Sequence, residues 1–126
     1  MPMKAVFHCL LVACALFIGQ ANAHGIPKPQ HGGLIEDAGL VAIEMVANGD
    51  TVDLYLTDHD QAVSAENVSG VLTITTRHKR VKTDIVAVSG NHLQSKGVSF
   101  QSGSRVSALL TLADGETKVS ARFKIP

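Results

Sequence analysis

Tryptophan is absent from the 126 residues, tyrosine occurs once, as Tyr55, and there are only four phenylalanines. A core built from this chain must therefore rest on aliphatic side chains. An excess of charge of either sign is missing as well: 11 Lys and Arg face 11 Asp and Glu. That balance supplies no electrostatic reason to bind nucleic acid or anionic lipid. The two cysteines, Cys9 and Cys14, both fall within the first 23 residues, so the rest of the chain has neither a disulfide nor a thiolate ligand. Catalytic signatures are lacking too. There is no G-x-S-x-G elbow, no glycine loop to cradle phosphate and no H-E-x-x-H, and no spacing of Ser, His and Asp picks out a triad. An enzyme is not expected.

Long apolar runs are confined to the N-terminus. Met1 to Lys4 carries one positive charge, Ala5 to Ile18 is apolar except for His8, and Ala21-Asn22-Ala23 matches the small-residue pattern of a signal-peptidase site. Residues 1–23 read as a secretory signal peptide, so the expected location is the bacterial periplasm, with no stable membrane insertion after cleavage. The apolar stretch is shorter than the about 20 residues that span a bilayer. Two rivals use the same residues: an uncleaved anchor, and lipidation at Cys14 in Leu11-Val12-Ala13-Cys14. Removing residues 1–23 leaves 103 residues with 10 basic and 11 acidic side chains, a normal size for one domain.

Residues 24–33 contain two prolines, three glycines and two histidines with no apolar period. They read as an extended arm. From Leu34 to Pro126 the pattern is all β. Leu40–Ala47 is apolar and β-branched, and Asn48-Gly49 is a hairpin signal. Thr51–Thr57 alternates, with Val52, Leu54 and Leu56 inward and Asp53, Tyr55 and Thr57 on the wet face. Strands follow at 71–76, 81–88 and around Leu93. Further alternation runs over 104–112 and 117–125, with Asp114-Gly115 as a second hairpin signal. About seven short antiparallel strands with regular turns predict a single immunoglobulin-like β-sandwich or a related small barrel.

Histidine is what the chain does have. If the cut falls after Ala23, His24 carries a free α-amino group beside its imidazole. Both nitrogens deprotonate near neutral pH, with reference pKa values of about 7.7–8.0 and about 6.5, so one residue can chelate one ion. Amine and imidazole suit Cu(II), with Zn(II) and Ni(II) behind it. His31 stands seven residues on, before Gly32-Gly33. Paired glycines let the backbone pass close to an ion or to another chain, or give a flexible entry to the first strand. Asp58-His59-Asp60 ends a strand, where the carboxylates can complete a site, orient His59, or simply make a solvated turn. Glu36 and Asp37 are possible oxygen donors or ordinary surface charge. His78 lies among Arg77, Lys79 and Arg80, which repel a cation, and His92 reads as a loop residue.

His24, His31-Gly32-Gly33 and Leu54-Tyr55-Leu56-Thr57-Asp58-His59 together resemble small periplasmic proteins that accompany bacterial heavy-metal efflux systems, and a stretch of some periplasmic adaptor subunits of such pumps. The resemblance spans about residues 24–97, including Gly90–Gly97. A looser one is to periplasmic copper carriers of the copper-resistance C type, also cysteine-free sandwiches that begin with His; their Met-rich stretch is lacking. These resemblances imply a metal-binding protein, for copper above all, that buffers the cation or delivers it to efflux-pump subunits, with His24, His31 and His59 as matching positions and Asp58 and Asp60 beside them. The alternative is an interaction module docking on an adaptor or envelope partner through a strand edge. An oxidative copper enzyme ranks last, because the chain has one Tyr and no Trp to build a substrate surface.

Overall fold

The computed structural model describes residues 25–126; the leader and His24 fall outside them. The described chain is all-β, with nine strands: β1 (Leu34–Asp37), β2 (Ala42–Asn48), β3 (Thr51–Asp58), β4 (Gln61–Ala62), β5 (Ser69–Thr75), β6 (Arg80–Ser89), β7 (His92–Lys96), β8 (Arg105–Thr111) and β9 (Lys118–Lys124). Eight make one continuous antiparallel path in the order β1-β2-β3-β7-β6-β5-β8-β9, and β4 pairs with the end of β3. β1 also comes close to β9, so the sheet folds over on itself as a nearly closed sandwich. The expected strands are all there, and β1 and β4 are short additions.

The roll-up follows from side-chain alternation. On β9, Val119, Ala121 and Phe123 point inward while Lys118, Ser120, Arg122 and Lys124 point out. The same period on the other strands brings Ile43, Leu54, Leu56, Leu72, Ile85, Leu93 and Leu110 into a core that excludes solvent. Each such side chain contributes about 1.5–3 kcal/mol on burial. The Asn48-Gly49 signal marks the β2–β3 hairpin, displaced by one residue: Asn48 pairs with Thr51, so Gly49 and Asp50 form the loop, and Gly49 takes a φ of +62°.

After β4 the chain skips two positions to lay down β5, then returns through β6 and β7 until β7 pairs with β3. This topology sets β2, β3 and β7 side by side. Three residues far apart in sequence thereby share one rung: Glu44, Tyr55 and His92.

Candidate functional site

Residues paired directly across neighbouring strands emerge on the same face. Ile43, Met45, Leu54, Leu56 and Leu93 take the inner face, so Glu44, Tyr55 and His92 stand on the outer one. Asp53 and Gln94 occupy the adjoining rung. A carboxylate, a phenol and an imidazole in a row would lie open to water, but the N-terminal arm folds across them.

Glu44 fixes that arm. Its Oε1 accepts the backbone N–H of Gln30 (2.8 Å), and its Oε2 accepts those of His31 (2.8 Å) and Gly33 (2.9 Å). The His31 ring donates Nδ1–H to Oε1 at 3.0 Å. An ionised carboxylate only accepts, so Nδ1 must carry the proton, and in the neutral ring Nε2 keeps the lone pair. Burial pushes the Glu44 carboxyl up. The bonds from Gln30, Gly33 and His31 outweigh that and hold it below its ordinary value. Gly32, with φ +73°, turns the chain, and Gly33 lies so close to β2 that a Cβ there would collide with the Met45 carbonyl. The two glycines thus serve a close approach to the protein's own β2.

His31 is laid flat on Tyr55, with ring centroids 3.6 Å apart and planes within 7°. On the far side of Tyr55 the His92 ring stacks at 4.8 Å and 10°. His92 in turn donates Nε2–H to Asp53 Oδ1 at 2.7 Å, and Gln94 and Asn48 donate to the same carboxylate. Burial raises the Asp53 pKa, while the bonds from Gln94, His92 and Asn48, with the charge on His92, bring it below the usual value. The Tyr55 phenol is held above its ordinary value, first by burial and then by the Asp53 and Glu44 charges. Two carboxylate–imidazole pairs therefore bracket one tyrosine. His92 is the first residue of β7, not a loop residue, and Asp53 and Thr57 are buried rather than wet.

The Asp58-His59-Asp60 segment is a tight hairpin turn. Asp58 pairs with Gln61, and His59 and Asp60 adopt φ of +49° and +64°. His59 Nδ1 lies 2.8 Å from Asp58 Oδ1. The arm reaches this turn as well: Lys28 N–H donates to Asp60 Oδ1 (3.3 Å), and the Gln30 side-chain amide donates to the Asp60 carbonyl (2.9 Å). Between arm, turn and the start of β2 is an open cleft of about 420 Å³ whose walls include Gly25, Asp37, Thr57, Asp58, His59 and Asp60. The Thr57 hydroxyl, in that wall, is buried with no hydrogen-bond partner among the described residues.

Of the five residues singled out from the sequence, Asp58, His59 and Asp60 thus border one cleft, His31 is engaged by Glu44 and Tyr55, and His24 is outside the described residues. Among the described residues, no three His, Cys, Asp or Glu side chains converge in a way that holds a metal ion. Glu44, Asp53, Tyr55 and His92 were missed. Only period-2 placement of Glu44 on the polar face, opposite Ile43 and Met45, could have flagged the first of them. Comparison with protein-family models, curated proteins and solved structures gave no match.

Proposed function

We propose that this is an exported protein that binds a cation, Cu(II) first, at the cleft beside the Asp58-His59-Asp60 turn, and that it buffers the ion or hands it to a heavy-metal efflux system. The observation that carries this reading is the position of Gly25. It borders the same cleft as Asp58, His59 and Asp60, and it is bonded to His24, whose amine and imidazole form a chelating pair once the leader is removed. The donor chemistry fits: two imidazoles, an amine and carboxylate oxygens suit Cu(II), Ni(II) or Zn(II). The Thr57 hydroxyl in the wall is a buried polar group with no hydrogen-bond partner among the described residues. His31, expected as a ligand, acts here as the clasp that seats the arm, because its ring is stacked on Tyr55 and bonded to Glu44. A carrier must also release its ion, and a site completed by a docked arm releases it when the arm lifts.

Calorimetric titration with Cu(II) tests the reading. The protein starting at His24 should bind at least about tenfold more tightly than one extended by a single residue, the scale associated with losing even an outer partner of a metal ligand. His59→Ala should cause a similar loss. Equal affinity of all three proteins would remove the proposal.

A further inference from the structure

The near-zero net charge conceals a separation of charge. Residues 25–66 hold eight acidic residues and one cation, Lys28, whereas residues 67–126 hold nine cations and three acids. Strand pairing concentrates those cations on one outer face. Lys124 pairs with Arg105, Arg105 with Thr75 and Thr75 with Arg80; on the next rung Arg122, Ser107, Thr73 and Lys82 follow one another. Their neighbours Val106, Phe123, Ile74 and Ala121 face the core, so Lys124, Arg105, Arg80, Arg122 and Lys82 all project outward and are exposed. With strands about 4.8 Å apart, five positive charges fall within two adjacent rungs of four strands. Among the described residues no Lys or Arg lies within salt-bridge distance of a carboxylate. One acid, Asp84, stands on the third rung beside Val71 and Leu109. Leu109 is 42% exposed, and Val86, one rung further on, 53%.

We infer that this β9-β8-β5-β6 face docks on an anionic phospholipid surface. An uncompensated cluster of Lys and Arg attracts phosphate headgroups, with Arg able to grip two oxygens at once. The patch is an outer sheet face, not a groove, so it matches an extended charged surface better than a threaded chain. It carries no aromatic ring on which bases could stack, whereas the exposed Leu109 and Val86 beside it can rest at the headgroup boundary. The inference is independent of the metal reading and uses none of its residues.

Co-sedimentation with phosphatidylcholine vesicles, with and without phosphatidylglycerol, tests it. The protein should pellet only with the phosphatidylglycerol vesicles and should release at high salt. Each cation near such a surface is worth about fivefold in partitioning, so Arg105→Gln with Lys124→Gln should weaken binding about 25-fold. Lys28→Glu changes net charge equally, by two units, but lies on the arm beside Asp60, off the patch, and should leave binding unchanged. Circular dichroism checks that both variants are folded. Four outcomes would overturn the inference: no binding to either vesicle, equal binding to both, equal losses in the two variants, or tighter binding to a DNA duplex than to phosphatidylglycerol vesicles at equal phosphate concentration.

Discussion

Glu44 accepts four hydrogen bonds, all from the N-terminal arm. It is 1% exposed, and an isolated buried carboxylate would be costly, yet four donors converge on it. Removing it leaves three backbone N–H groups of the arm without their acceptor. Glu44→Ala should cost about 2–4 kcal/mol, read as a lower midpoint in urea unfolding, and should speed hydrogen exchange at Gln30, His31 and Gly33. A pH dependence follows from the same residue. The folded-state pKa lies below the ordinary value of 4.5, so the unfolded chain binds a proton first on acidification. The stability Glu44 adds is fully present above about pH 4.5 and is lost as pH falls through the lower folded value. Asp53 acts in the same direction. Wild type should therefore lose stability steeply below that pH, and Glu44→Gln should flatten the loss; a parallel acid profile for the two would contradict the assignment. Beyond the alternation of Glu44 with Ile43 and Met45, none of this could be read from the chain in order. Glu44 sits in a run of apolar residues, and its partners lie 11–14 positions away in a segment that looks structureless.

At the scale of elements, alternation and turn chemistry made most strands legible. Val119, Ala121 and Phe123 announce β9, and glycine marks the β2–β3 loop where φ is positive. β4 and β1 were not marked, because two- and four-residue strands carry too short a pattern to show a period. The Asp58-His59-Asp60 segment looked like a turn and is one, though with two non-glycine residues at positive φ. Such a conformation costs about 1–2 kcal/mol per residue, least for Asn, Asp and Gly. His59→Gly should accordingly leave thermal stability unchanged or raise it, while His59→Val should lower it by about 1–2 kcal/mol. Equal midpoints for the Gly and Val variants would show that the backbone there is relaxed.

At the scale of the whole molecule, the sequence revealed the class of fold but not what the fold brings together. An all-β domain with an arm follows from local pattern. The stack of His31, Tyr55 and His92 requires knowing that β7 pairs with β3, and the pairing of distant strands leaves no local trace. The cationic face escaped notice for a similar reason: a composition total counts charges without placing them. The same closure makes the arm part of the domain. Glu44 and Tyr55 hold His31, Asp60 holds Lys28 and Gln30, and Gly25 is thereby delivered to the cleft at the hairpin turn. If the arm exists to carry His24 to that cleft, releasing it far from the metal donors must weaken the metal. The decisive measurement is Cu(II) affinity of Glu44→Ala against wild type, both starting at His24, at a temperature where both are folded. The account predicts weaker binding in the variant by about tenfold or more, although Glu44 itself touches no ion. Identical affinities would mean that the docked arm and any copper bound at the terminus are unrelated.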